Sequence, residues 1–255
     1  MKVISIAIQK GGSGKTTTAV NLAAALRDAG KKVLLIDFDP QSNLTQSLGI
    51  KKEPAANVYT VLRKEAFGEQ ADLLEVKQVL HGLDLIPAAL ELADAELELA
   101  SVYGREQIAA QLLQRLENAY DYVFIDCPPS FGILTVNALV ASDYYLMPLQ
   151  AEFLPLNGVR SFERHLERIK KLNKHLRLLG FVLTKFNNRL SMNRSVEEQL
   201  LEKYDATQVF RTHIRTNIKL AAAQEQGMDI FSFDPYSNGA ADYKALAAEF
   251  LEKIK

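Results

Sequence analysis

The run QKGGSGKTT at positions 9–17 constrains this chain more than any other stretch, because of what stands on either side of it. Val3 to Ile8 is apolar and β-rich, while Thr17 to Ala29 has a helix-forming composition that ends at Gly30. A strand that runs straight into a glycine-rich turn and out into a helix leaves few folds available. Lys32 to Ile36 (KVLLI) reads as a second strand, and its continuous apolar character suits a parallel strand buried on both faces. The first βαβ unit is complete by Asp37.

Further strands are expected at Leu83 to Ile86, Tyr122 to Ile125, Tyr144 to Pro148 and Leu178 to Thr184, each separated from the next by helix-length segments. This alternation predicts an α/β fold: one doubly wound, mainly parallel sheet with helices on both faces. The acidic, Leu-rich stretch AALELADAELELA (88–100) reads as a solvated surface helix, and Asn238 to Lys255 as a helix that packs through Tyr243, Leu246, Ala247, Phe250, Leu251 and Ile254. No repeat and no Pro- or Gly-rich linker divides the chain, so a single domain over 1–255 is expected. An apolar fraction of 48% supports a substantial core. The N-terminal apolar run is too short for a signal peptide or a membrane span. One cysteine, Cys127, rules out an intrachain disulfide and suits the reducing cytoplasm; it reads as a small packing residue.

In the usual phosphate-binding loop, G-x-x-x-x-G-K-[ST], backbone N–H groups and a helix N-terminus surround the phosphates, the lysine reaches the β- and γ-phosphates, and the hydroxyl ligates Mg²⁺. Gly14, Lys15 and Thr16 fill the last three places here. The first place falls on Gln9, and Lys10-Gly11-Gly12 supplies a different opening, which makes this a deviant P-loop. Gly11, Gly12, Ser13, Gly14, Lys15, Thr16 and Thr17 are the expected nucleotide-binding residues. Asp126 ends the strand YVFID, from which a buried strand can deliver a carboxylate to Mg²⁺ or its bound water, so Thr16 and Asp126 are the expected metal residues. Asp37 and Asp39 stand just beyond the second strand, where parallel sheets place their ligand sites; both are expected to face the nucleotide, although a strand-end carboxylate can equally serve as a helix cap.

KGGSGKTT, then LLIDFDPQSN, then VFIDCPPS, in that order and spacing, resemble the ParA/MinD group of deviant Walker ATPases, and the closing IRTNIKLAAAQEQGMDIFSFDPYSNGAADY is similar to the C-terminal part of ParA and Soj proteins. The resemblance covers nearly the whole chain. It implies ATP hydrolysis to ADP with Mg²⁺ in an ATP-dependent homodimer. Lys10 would reach across to the partner's phosphates and act in catalysis with Lys15 and Asp39. Asp39 would orient the attacking water, with Asp37 nearer the Mg²⁺ shell or supporting the loop. It also implies an adenine contact from Asn187, with the segment around Arg215 as the opposite wall. Further implications are a ParB-like stimulating protein and a cytoplasmic, nucleoid-associated location.

The formal net charge of −1 conceals an asymmetry, since residues 159–219 hold fourteen Lys or Arg against six Asp or Glu. Within them, Leu156, Val159, Phe162, Leu166, Ile169 and Leu172 share one helical face, while Arg160, Arg164 and Arg168 recur on another. Only Glu167 to Lys171 is a favourable i,i+4 pair. The arginine face reads either as solvated or as awaiting a partner. Resemblance to Soj-type proteins places DNA-contacting residues near Arg189, Arg215 and Lys219, and nothing resembles a base-reading module, so phosphate contacts to non-specific double-stranded DNA are expected. His81, His165, His175 and His213 show no metal-ligand spacing and receive no functional role. A membrane-positioning relative would need a basic amphipathic tail, which EFLEKIK does not supply, so no membrane partner is expected. A relative that positions protein cargo would share all the nucleotide chemistry. The iron-protein type needs two cluster cysteines and is excluded.

Overall fold

Successive side chains of the apolar strands feed two different cores. Leu34 and Ile36 join one buried cluster and Val33 and Leu35 the other, and Val123 and Ile125 are divided from Phe124 in the same way. That two-sided burial is why these runs are apolar throughout rather than alternating. The computed structural model describes residues 1–116, 119–152 and 155–254, and the side chains of all of these but 155–157. The side chain of Leu156, on the expected apolar face of the 156–172 helix, and Lys255, the end of the expected last helix, therefore lie outside what is described.

The chain opens with β1 (Lys2–Ile6), α1 (Lys15–Asp28), β2 (Val33–Asp37), α2 (Asn43–Ser47), α3 (Val58–Ala66), β3 (Gln78–Leu80) and β4 (Leu83–Ile86). It continues through α4 (Ala95–Glu98), α5 (Ile108–Gln114), β5 (Tyr122–Asp126), α6 (Ile133–Val140), β6 (Tyr144–Gln150), α7 (Pro155–Leu172) and β7 (Arg177–Phe186). The last part holds α8 (Ser191–Lys203), β8 (Ile214–Arg215), α9 (Ile218–Glu225), α10 (Ile230–Phe233) and α11 (Asn238–Lys253). One eight-stranded sheet runs in the order β3-β4-β2-β5-β1-β6-β7-β8, parallel except where β3 pairs antiparallel with β4. Helices α1, α2, α9, α10 and α11 cover one face through the cluster containing Leu22, Leu44, Leu220, Ile230 and Phe250; α3 to α8 cover the other. The doubly wound α/β fold is as the sequence predicts.

Two departures have plain physical causes. The stretch 88–100 is not one solvated helix: it breaks into a 3₁₀ turn at Leu90–Asp94, the single turn of α4, and another 3₁₀ turn at Leu99–Ser101. Leu92, Ala95 and Leu99 are buried in the core cluster that α3 and α6 also feed, so packing rather than helix periodicity sets the backbone. On α7, Val159, Phe162, Leu166 and Ile169 are buried as expected, but Leu172 at the last turn is 48% exposed. Glu167 pairs with Lys170 at 3.5 Å instead of with Lys171.

The register places the functional ends of the strands side by side. Asp126 of β5 lies opposite Ile6 of β1 and Asp37 of β2, so the glycine-rich loop and two carboxylates leave the sheet at one level. This is the carboxyl end of a parallel sheet beside its innermost strand, where open α/β folds bind ligands. Beyond it, α2 and α9 meet through a backbone contact: a Cβ on Gly227 (φ +72) would lie 2.6 Å from Gly49 Cα and 2.9 Å from Gly49 N. Neither backbone has a side chain's freedom to yield. Gly227→Ala is expected to lose about 2–4 kcal/mol, adding left-handed strain to overpacking, which a urea titration would read as a lower midpoint at unchanged slope.

Candidate nucleotide site

The glycine-rich loop takes its shape from one left-handed residue and one distant anchor. Gly14 caps α1 with φ 90, a conformation that favours glycine, and brings the first N–H groups of the helix to face the cleft. Thr184, at the carboxyl end of β7, donates its hydroxyl to the Ser13 carbonyl at 2.8 Å and would touch any Cβ at Gly14 at 3.4 Å. The Lys15 ammonium, nearly buried, donates to the Lys10 carbonyl at 3.1 Å and so stays within the loop. At the start of α1, Thr17 donates to Gln224 of α9 at 3.3 Å, and Thr18 lies 3.3 Å from the Tyr243 hydroxyl of α11.

Three carboxylates gather beside this loop, and each is used differently. The Thr16 hydroxyl donates to Asp126 Oδ2 at 2.6 Å, while Asp126 Oδ1 is buried and has no hydrogen-bond partner. Burial, and then the neighbouring Asp37, push the Asp126 carboxyl well above the usual carboxylate range. Asp37 is fully buried and fully occupied: Oδ1 accepts from Asp39 N at 3.1 Å, and Oδ2 accepts from Thr45 N at 2.9 Å and the Thr45 hydroxyl at 2.6 Å. Burial raises its pKa to about 6 against those donors. Of its two expected roles, loop support is the one these contacts make. Asp39 lines the cleft and accepts from Gln41 N at 3.0 Å through one oxygen.

A cleft of about 510 Å³ extends from residues 11–17 past Asp39 and Pro129 to a far wall of Ile214, Arg215, Thr216 and Asn217 with Leu220 and Gln224. Its polar end suits a phosphate chain and its more apolar end a planar ring. Among the described residues no three His, Cys, Asp or Glu cluster so as to hold a metal by themselves. The orphaned Asp126 oxygen beside the Thr16 hydroxyl fits a hard cation whose remaining ligands come from phosphate oxygens and water.

The other expected residues divide. Lys10 does not line the cleft; its ammonium lies 3.8 Å from Glu152. Asn187 is likewise absent from the lining, and its side-chain oxygen accepts from Arg189 N at 3.0 Å. Arg215 does stand on the far wall, but its guanidinium is held by Asp242, with Nη2 to Oδ1 at 2.6 Å and Nε to Oδ1 at 3.0 Å. Lys219 lies 3.7 Å from Asp234, and Arg189 is exposed. Cys127 is buried, and burial raises its thiol, which keeps it unreactive. Sequence reasoning missed Thr184, Thr45, Gln224 and Tyr243. Thr184, Gln224 and Tyr243 act across a long stretch of chain, and Thr45, only eight positions beyond Asp37, carries no local pattern that marks it.

Thr45 carries a testable share of this site, since its hydroxyl also accepts from Ala88 N at 2.9 Å. Thr45→Val leaves a buried carboxylate short of a donor and a backbone N–H without an acceptor. It should cost about 2–4 kcal/mol in a denaturant titration, more than a surface Thr→Val change.

A family profile described as "AAA domain" matches residues 1–178. The Soj protein of Bacillus subtilis, described as a sporulation initiation inhibitor, is 42% identical over 250 residues, covering 97% of each chain. The chromosome-partitioning ATPase Soj of Treponema pallidum is 38% identical over 99% of this chain and 98% of its own. A crystal structure of cobyrinic acid a,c-diamide synthase from Mycobacterium smegmatis with bound ADP and magnesium superposes with a TM-score of 0.84 at 34% identity, over 99% of this chain and 94% of that one. With the phosphate loop, the Thr16–Asp126 pair and these full-length likenesses together, the chain belongs to the ParA/Soj family of P-loop partition ATPases.

Proposed function

We propose that this chain hydrolyses ATP to ADP and phosphate with Mg²⁺ as one ATPase domain over 1–255. In this reading ATP closes a homodimer that binds non-specific double-stranded DNA, and a ParB-like protein stimulates release. The observation that carries the ATPase reading is the buried, unpartnered Asp126 oxygen set against the Thr16 hydroxyl at the mouth of the phosphate loop. The curated relatives carry the partition reading, being more similar in sequence than the neighbour named as a synthase, whose bound ADP and magnesium nonetheless support the ligand pair.

In this mechanism Thr16 and Asp126 would hold the metal, which would supply charge neutralisation on the phosphate chain. Lys15 exchanges the Lys10 carbonyl for phosphate oxygen. Asp39, with one oxygen engaged by Gln41 N, uses the other to orient the attacking water. Lys10 points out of its own cleft towards Glu152, a partly exposed contact of little strength, and is available to a second copy's phosphates. The adenine ring would take the far wall, and Asn187, outside the lining, would meet it only by turning from Arg189 N.

Exposed Arg189 supports a phosphate contact, and Lys219 would have to leave a long contact with Asp234 and the face of Phe233. Arg215, paired with Asp242, contributes less free charge than its sequence position suggests. Closing the dimer joins two weak patches into one surface and makes DNA affinity follow the nucleotide, which would hold the protein at the nucleoid within the cytoplasm.

DNA retention measured with ADP, ATP and a slowly hydrolysed analogue at two salt concentrations should require the triphosphate and fall steeply with salt. Arg189→Ala/Lys219→Ala should weaken it and flatten the salt slope by roughly one unit per lost contact. Retention indifferent to nucleotide or salt would remove the switch. Calorimetry and phosphate release test the site itself: Lys15→Ala should lose ATP binding, and Asp39→Ala should bind ATP with turnover reduced about 100-fold. Full turnover by Asp39→Ala would return the water-orienting role to another group.

A further inference from the structure

Helix α7 touches both loops of the nucleotide site along one stripe. Ser161 and His165 are four residues apart and therefore on the same helical face. Ser161 donates its hydroxyl to Gln9 Oε1 at 2.9 Å, and Gln9 is the residue that stands where an ordinary phosphate loop has glycine, next to Lys10. One turn on, the His165 imidazole stacks on Phe131 with centroids 4.4 Å apart and planes inclined by 21°, while Phe162 meets the same ring edge-on at 5.4 Å. Phe131 belongs to the segment 127–132 that follows Asp126, whose Pro129 lines the cleft. At its far end this segment is held by Glu96, which accepts from Ile133 N at 3.0 Å. Phe131 and His165 are both half-buried, so their contact is not part of the inner core and can open without disrupting it.

We propose that the His165–Phe131 stack ties the segment after Asp126 to α7, making His165 a positioning residue for ATP turnover. The stack holds Pro129 at the cleft and transmits any movement of that segment to α7, which the Ser161–Gln9 bond couples in turn to the corner bearing Lys10. The inference rests on the ATPase reading above and adds to it a residue that touches no substrate.

The chain has no tryptophan, so Phe131→Trp places a single fluorophore in the stack. With Mg²⁺ and a slowly hydrolysed ATP analogue, emission from this variant should shift, the shift should vanish when His165→Ala is added, and His165→Phe should restore it. In the otherwise unaltered chain, His165→Ala should lower kcat roughly three- to tenfold, the rate equivalent of one aromatic pair, with KM within about twofold, and His165→Phe should recover most of the loss. The unsubstituted protein offers a check that needs no change at Phe131. Among the four histidine ring signals, that of His165, assigned by its loss in His165→Ala since His213 also lies on a ring, should be displaced by the Phe131 ring current and should move when the analogue binds. An emission response and a kcat untouched by His165→Ala, a His165 signal unmoved by the analogue, or equal impairment by Ala and Phe would each overturn the proposal. Failure of the unsubstituted chain to bind the analogue at all would overturn the ATPase reading instead.

Discussion

Three acidic side chains packed at the ends of two neighbouring parallel strands repel one another in a setting where water cannot screen them, and much of the surrounding structure answers that repulsion. Asp37 and Asp126 stand at one level of the sheet, with Asp39 two residues beyond. Thr45 and the Asp39 N–H satisfy Asp37, the Thr16 hydroxyl satisfies half of Asp126, and the nearby Lys15 ammonium offsets part of the charge. Among the fully buried carboxylate oxygens of this cluster, one oxygen of Asp126 is left without a partner. Burying a polar atom without a partner is costly, so its persistence beside an anion-binding loop marks a place for a cation.

The site closes only because both ends of the chain reach it. The phosphate loop follows β1, yet its carbonyl anchor Thr184 ends β7, and the residues flanking the first turn of α1 come from α9 and α11. Thr45 links the acidic cluster onward to Ala88, at the start of the irregular 88–100 segment, and Glu96 of that segment holds the entrance to α6. Change at the nucleotide therefore has short routes of packed and hydrogen-bonded atoms to segments far away in sequence.

Legibility in the sequence followed locality. The strands β1, β2, β4, β5, β6 and β7 announced themselves because burial on both faces removes polar residues from a short run, and the phosphate loop because its spacing serves one geometry. Asp126 was legible as a strand-end carboxylate for the same reason. The three-residue β3 was not, since it exists only by pairing with β4 across the His81–Gly82 turn. The 88–100 segment misled because its Leu- and Glu-rich composition suits a solvated helix, while Leu92, Ala95 and Leu99 are buried in the core cluster that α3 and α6 also feed. Arg215 read as free positive charge because Asp242, its partner, stands on α11, beyond α9 and α10. His165 read as idle for a like reason: its only signal is a ring that stands 34 positions earlier.

In the proposed dimer, the weak contact of Lys10 becomes the useful one. Its ammonium sits 3.8 Å from Glu152, at the long limit of an ion pair, with the carboxylate 58% exposed. Such a pair is worth about 0–1 kcal/mol, too little to hold the lysine against a phosphate chain brought close by a second copy. A short buried pair in the same place would cost several kcal/mol to break. The backbone of Lys10 is fixed meanwhile, its carbonyl engaged by Lys15 and its neighbour Gln9 tied to Ser161. A rigid corner carrying a loosely held cation is what a site completed from outside requires, because the charge is already in place and only the side chain has to turn.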